Sequence, residues 1–264
     1  MVQQNLQGHA DDIVAHRDHL DTKQSLSKKS MMHYFLHSST LLPESEKTAE
    51  SLMLNSVNAI AAGTMTTAHA LKWATYHILT IPEIFTSLRT ELEAAIPNPD
   101  SIPPLQVLEN LPYLRAIMWE AIRLSYGASH RLQRVFPERV LEYKGYVIPK
   151  NTPVGMTSVL LHRDESIWPE HDRFRPERWL PFETEGLRLM KYMASFSKGS
   201  RQCVGMELGK AEFVITVRVY MTIKNGIFFF LFGSLLTRSD RSRQSSAASA
   251  TVCVWIPTLS SGAM

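Results

Sequence analysis

The sequence predicts a mainly α fold with one small β-sheet, and three observations carry that prediction. From about Pro43 to Thr80 the chain has no internal proline, and acids at Glu44, Glu46 and Glu50 open the stretch as a helix N-terminus favours. Tyr113 to Leu124 repeats apolar residues at helical spacing, through Leu114, Ile117, Met118, Ala121 and Leu124. Short apolar runs flank the turn pair Lys144-Gly145, with Tyr143 before it and Tyr146, Val147 and Ile148 after it.

Taken in order, residues 1–40 are rich in His, Asp, Lys and Ser with weak periodicity, and are expected as a poorly defined helix or loop. The long stretch ending at Ile81-Pro82 is expected as one helix. At about 1.5 Å per residue it would run on the order of 50 Å, the spine of a domain. A second helix follows from about Pro82 to Ala95, then a loop carrying Pro97, Asn98, Pro99, Pro103 and Pro104, and a helical turn near Leu105 to Asn110. Pro112 suits the first position of the next helix. At Arg131 the character changes: Leu132, Val135 and Val140, the residues around Lys144-Gly145, and Val154 to Val159 are expected as short strands. His162 to Phe182, rich in Pro, Arg and Trp, reads as an ordered meander over the helices. A loop containing Gly199 and Gly205 leads into a helix from Met206 to Met221.

Composition narrows the function classes. With 264 residues, 44% hydrophobic and 20% charged, the chain can bury a substantial core and is not a disordered polypeptide. The net charge is +3, and no Lys/Arg run is long enough for a polyanion-binding tail, so nucleic acid is not the expected partner. Two cysteines, Cys203 and Cys253, make no disulfide framework and point to a reducing compartment. Met1 to Ala10 is too polar for a signal peptide or anchor, and the apolar run Ile227 to Leu236 is too short to cross a bilayer as a helix. The chain by itself therefore reads as soluble.

Chemistry concentrates in Phe196-Ser-Lys-Gly199-Ser-Arg201-Gln-Cys203-Val-Gly205. One thiol stands between two glycines, with a cation two residues before it and a helix just after it. A Cys at a helix N-terminus has its thiolate favoured by the dipole and by free N–H groups, while the glycines let backbone approach a bulky flat partner. That is what an axial thiolate ligand to haem iron needs. A lone Cys in a glycine loop is more often a buried structural thiol. The full pattern shifts the balance, because five matching residue types at fixed spacing arise by chance in roughly one chain in ten thousand of this length. Here the sequence resembles the cytochrome P450 family of haem-thiolate monooxygenases, whose cysteine-ligand loop has Phe196, Gly199, Arg201, Cys203 and Gly205 at these positions.

Three further stretches follow in the family's order. Glu120-Ala-Ile-Arg123 places a carboxylate and a guanidinium on one helical face, which alone is a surface pair worth under about 1 kcal/mol. The resemblance implies that Glu120 and Arg123 lock to Arg178 of Phe174-Arg-Pro176-Glu-Arg178-Trp179 as a structural triad. Such a site calls for Arg rather than Lys, because one planar guanidinium bridges two partners. Ala59, Ala62, Gly63, Thr66 and Ala70 share one nearly bare helical face, which alone reads as close helix packing. By resemblance this face is the distal helix, with Gly63 making room for dioxygen and the Thr66 hydroxyl relaying protons to it. The family usually has an acid before that Thr; this chain has Met65, whose thioether carries no proton.

Arg134 and Arg201 resemble the family's partners for the two haem propionates, where cations offset carboxylates entering a low-dielectric pocket. Ser125 to Leu132 resembles a segment that reaches substrate, and Leu161 to Pro169 a scaffolding segment before the meander. The implied cofactor is haem (heme b), its iron held by Cys203 as axial thiolate. The implied reaction inserts one oxygen atom from O2 into a small apolar organic substrate, a terpenoid or other secondary metabolite, as in fungal trichodiene oxygenase-like members. Electrons would come from a separate NADPH-cytochrome reductase, since no Gly-x-Gly-x-x-Gly run is present. Two alternatives stand beside this: a truncated, non-catalytic remnant that holds no haem, and a haem-thiolate isomerase or dehydratase.

The resemblance runs from about Thr40 to about Thr216 and corresponds to the C-terminal half of the family fold. Residues 41–217 are thus expected as the haem-binding core, and 218–264, with Gly226-Ile-Phe-Phe-Phe-Leu-Phe and a Ser/Arg-rich run, as an atypical tail not native to it. Full-length members sit on the endoplasmic reticulum membrane, facing the cytoplasm; a chain without the anchor is expected in the cytoplasm. If the missing acid limits proton delivery, Met65→Glu raises the product formed per NADPH consumed. An unchanged ratio excludes that limitation.

Overall fold

A computed structural model describes residues 2–15, 43–98, 101 and 103–222. The described architecture is mainly helical with one two-stranded sheet. By compactness the chain divides at residue 220. The expected tail features and Cys253 fall outside the described residues, as do residues 16–42.

Helix α1 (Val2–Ala15) replaces part of the ill-defined start that the sequence suggested. It has an apolar side: Ala10 and Ile13 bury with Leu52, and Leu6, Val14, Ala49 and Met53 pack around them. Helix α2 (Ala49–Thr80) begins later than the acidic stretch implied, because the Thr48 hydroxyl accepts the Ser51 N–H at 3.2 Å and caps it there. Glu44–Glu46 forms a separate 3₁₀ turn ahead of that cap. At 32 residues, α2 spans about 48 Å. Its buried residues lie near its two ends, Leu52 and Ser56 toward the first and Ala70, Ala74 and Ile78 toward the second. Residues 58–66 between them are all exposed.

Pro82 starts α3 (Pro82–Ala95), which buries the stripe Ile84, Leu88 and Leu92. After the short α4 (Leu105–Glu109) comes α5 (Pro112–Ser125), enclosed on every face from Ala116 to Ser125. Leu111 offers α5 no side-chain cap. Glu91 of α3 supplies one, accepting the N–H groups of Tyr113 at 2.7 Å and Leu114 at 2.8 Å.

Strands β1 (Leu141–Tyr143) and β2 (Tyr146–Ile148) pair antiparallel through Lys144-Gly145, both with positive φ (49° and 83°) as a tight hairpin turn demands. The expected strand from Val154 to Val159 does not form. Val154 makes a single bridge to Arg134, and Thr157 then caps α6 (Ser158–His162) by accepting the Val159 N–H. The meander that follows is pinned by the fully buried Trp168 and Trp179, the latter in a 3₁₀ turn (Pro176–Trp179). A π-helical turn (Phe182–Gly186), α7 (Leu187–Met190) and a 3₁₀ turn (Gly199–Arg201) lead to α8 (Met206–Thr222), which buries Phe213, Val214, Val217 and Arg218 along one side. No described helix is long and apolar enough to cross a membrane.

Candidate functional site

The centre of the fold is a carboxylate. Glu120 on α5 is completely buried, and the structure brings Arg123 and Arg178 to it. Arg123 binds it as a fork, Nε donating to Oε2 and Nη2 to Oε1, both at 2.9 Å. Arg178 Nε donates to Oε1 at 3.0 Å. Two donors that residue type alone did not mark complete the set: the Arg175 backbone N–H at 2.9 Å and the Trp179 indole N–H at 3.0 Å. Burial by itself would raise the Glu120 carboxyl; the hydrogen bonds and charge of Arg123, then the charge of Arg178, outweigh it and hold the group below the ordinary glutamate value. Two cations face one anion, and carbonyls take up the surplus charge. Arg123 donates to the carbonyls of His162 (3.1 Å) and Arg173 (3.3 Å), and Arg178 to those of Pro169 (2.9 Å) and Glu170 (3.2 Å).

His162, assigned only to scaffolding by its sequence context, is also fully buried. Its Nε2 accepts the Ala194 N–H at 3.1 Å. Because a backbone N–H can only donate, Nδ1 carries the proton and donates to the Arg123 carbonyl at 3.0 Å. Burial depresses the imidazole to about 4, so it is neutral at physiological pH.

The residue after Ala194 is also fastened to α5. Ser195 Oγ donates to the Ile122 carbonyl at 2.8 Å, and a Cβ placed on Gly127 (φ +59°) would lie 2.3 Å from the Ser195 carbonyl oxygen. Phe196 then sets its ring edge-on to Trp119, with centroids 6.3 Å apart. From this stem the loop leaves the core, turns through Ser197 (φ 60°) and Gly199 (φ 79°), and closes where the Cys203 N–H donates to the Phe196 carbonyl at 2.9 Å. Cys203 is a free, exposed thiol just ahead of α8, and Arg201 is exposed beside it. Phe196, Gly199, Arg201, Cys203 and Gly205 thus share one loop.

Thr66 and Gly63 lie on the exposed middle of α2. The Thr66 hydroxyl donates to the Ala62 carbonyl one turn back, at 2.7 Å. Helix α8 approaches α2 beside them: a Cβ on Gly209 would lie 3.7 Å from Thr67 Oγ1. Met65 is 74% exposed. Arg134 folds onto its own loop, donating to the carbonyls of Leu132 (2.9 Å) and Gln133 (3.1 Å). Among the described residues no hydrogen bond or ion pair joins Arg134 to the Cys203 loop.

The donor set fits a flat, anionic metallocycle. Among the described residues one free thiol is exposed, a cation without an ion pair stands two positions away, and a Cβ at Gly63, Gly199 or Gly205 would meet nothing within 4 Å. Packing among the described residues does not account for the bareness of Gly63 and Gly205.

Residues 2–219 match the family described as Cytochrome P450. The chain belongs to that family of haem-thiolate proteins. Among its relatives is a cytochrome P450 monooxygenase, MO6277, of the fungus Ascocoryne sarcoides, 42% identical over 196 residues that make up 74% of this chain and 38% of the relative. The N-acetyltryptophan 6-hydroxylase ivoC of Emericella nidulans is 44% identical over 188 residues, 70% of this chain and 36% of its own length. The cytochrome P450 monooxygenase TRI4 of Trichoderma arundinaceum is 38% identical over 176 residues, 67% of this chain and 34% of the relative. The chain spans under two fifths of the length of these relatives.

Two stability predictions follow from the buried groups. Glu120→Gln leaves two buried guanidiniums facing no anion and is expected to cost about 3–5 kcal/mol in chemical denaturation, as breaking a buried pair does. For His162, the unfolded chain takes up a proton near 6.5 but the folded chain only near 4, so between those values the unfolded state binds more protons. Its contribution is complete above pH 6.5 and falls by about 3 kcal/mol as pH drops toward 4. Glu120, held below its ordinary value, adds loss of the same sign in acid. A melting temperature independent of pH between 7 and 4 would contradict this.

Proposed function

We propose that this chain carries the haem-binding portion of a monooxygenase that hydroxylates a small, largely apolar secondary metabolite. The observation that carries the reading is the exposed Cys203 thiol, on a loop whose stem is bonded to the buried core through Ala194, Ser195 and Phe196. Cys203 would hold the iron, Arg201 would face a propionate, and Arg134 would reach a second one by leaving the carbonyls it now bonds. When bound, haem with a thiolate ligand supplies O–O bond cleavage and oxygen transfer to a C–H bond.

The chain's own residues bind and orient. The bare face at Gly63 would leave room for the haem and for dioxygen. The Thr66 hydroxyl, now donating to the Ala62 carbonyl, keeps its lone pairs available to accept a proton donor such as water. Electrons would come from a separate NADPH-dependent reductase. The N-acetyltryptophan 6-hydroxylase among the relatives supports an aromatic substrate rather than a sugar or nucleotide.

A second reading, rearrangement or dehydration at the same thiolate-bound haem, is favoured by Met65, which cannot pass a proton. Dioxygen consumption coupled to product separates it from hydroxylation. The deciding measurement is the difference spectrum of the reduced, carbon-monoxide-bound protein. Wild type is expected to show the thiolate-ligated band. Cys203→Ser is expected to abolish it with the melting temperature of the haem-free chain unchanged, since the Cys203 side chain is exposed. No haem uptake by wild type would overturn the reading in favour of a non-catalytic remnant.

A further inference from the structure

We infer that His162 is a positioning residue for the Cys203 loop: its neutral imidazole ties the loop's stem at Ala194 to the Glu120–Arg123 core. The tie is reciprocal. The Arg123 side chain donates to the His162 carbonyl at 3.1 Å, and the His162 Nδ1–H donates back to the Arg123 carbonyl at 3.0 Å. These two bonds fix the ring's position and tautomer, so that Nε2 presents one lone pair, and the Ala194 N–H occupies it at 3.1 Å. The ring cannot swing away, because Trp168 meets it edge-on at 5.9 Å and Tyr126 stacks on it at 6.2 Å.

Ala194 is two residues before Phe196, whose carbonyl receives the Cys203 N–H. A displacement at Ala194 therefore passes through Phe196 to the thiol with no flexible side chain between. Ser195, bonded to Ile122, holds the same stem from the next residue. That bond orients the Ser195 side chain. The His162 bond is the one that holds a backbone N–H of the stem, and it decides the direction in which the loop leaves the core. The functional consequence rests on Cys203 being the iron ligand; the structural inference does not.

The test compares two replacements that split the imidazole. Glutamine places its amide oxygen near the Nε2 position and can accept the Ala194 N–H; asparagine places its amide near Nδ1 and can serve only the Arg123 carbonyl. Amide hydrogen exchange is read by mass spectrometry on the haem-free full chain, over peptides covering residues 194–203 and residues 112–125. His162→Asn is expected to speed exchange about tenfold in 194–203 and not in 112–125, the effect of losing one buried hydrogen bond. His162→Gln is expected to keep wild-type exchange in both. On the haem-loaded chain, Asn should move the carbon-monoxide band from the thiolate-ligated to the neutral-thiol position, and Gln should leave it in place.

Equal acceleration of both peptides in His162→Asn, or none in 194–203, overturns the inference. So does Gln behaving as Asn. Should Asn fail to fold, exchange in Gln decides: wild-type rates support the tie and faster rates in 194–203 overturn it. A wild-type chain that takes up no haem refutes the haem reading while the exchange comparison still stands.

Discussion

Helix α5 and the meander are arranged around the Glu120 carboxylate. Its two oxygens accept five donors: two from Arg123, and one each from Arg178, Trp179 and the Arg175 backbone. A carboxylate offers about four lone-pair sites, so the group is saturated. An unpaired charge at such a depth would cost several kcal/mol, which makes the cluster all-or-none: either every donor arrives or the fold around it does not close. The donors come from α5 itself and from the meander, segments fifty or more residues apart, so closing the cluster determines the path of the chain between them. A hydrophobic cluster of the same volume could be as stable or more so; it would not specify which backbone carbonyl each guanidinium must face.

From that centre the positional information runs outward through backbone. Arg123 reaches the His162 carbonyl, His162 reaches the Ala194 amide, and Ala194 begins the stem of the Cys203 loop. The aromatic layer of Trp119, Trp168 and Trp179, with centroids 5.6 to 6.2 Å apart, fills the space beside these bonds and keeps water from competing for them. Exposed loops are the parts of a fold that open first, and the Cys203 loop is bonded to the core at its stem.

Much of this was legible in residue order, and what was not has identifiable causes. The helix at Tyr113 to Leu124 shows through its apolar spacing, but its enclosure on all faces does not: spacing alone reads Glu120 and Arg123 as a surface pair, only the resemblance brought Arg178 to them, and nothing marked the Trp179 indole. The stretch Val154 to Val159 looks like a strand because β-branched residues recur there. Thr157 instead caps a helix of five residues, too short to display a helical period. The loop carrying Cys203 is marked by its glycines and Arg201. The tie from His162 to Ala194 leaves no such mark, because its partner is a backbone amide that any residue but proline supplies.

The middle of α2 obeys a different rule from the rest. The helix is held toward one end by Leu52 against α1 and toward the other by Ala70, Ala74 and Ile78, with His77 stacked on Phe174 at 4.4 Å. Residues 58–66 have no such support, yet remain helical. Nucleation is what isolated helices lack, and here it is provided from both sides, so the span needs only propagation. Alanines at 59, 61 and 62 propagate well and expose little apolar area, which keeps the cost of leaving them uncovered small. Gly63 and the threonines weaken the same span, and the Thr66 hydroxyl, bonded to the Ala62 carbonyl, draws on the helix's own acceptors. A span made of good propagators would be stiffer without them. Their presence in a stretch that packing among the described residues leaves bare is not explained by helix propensity.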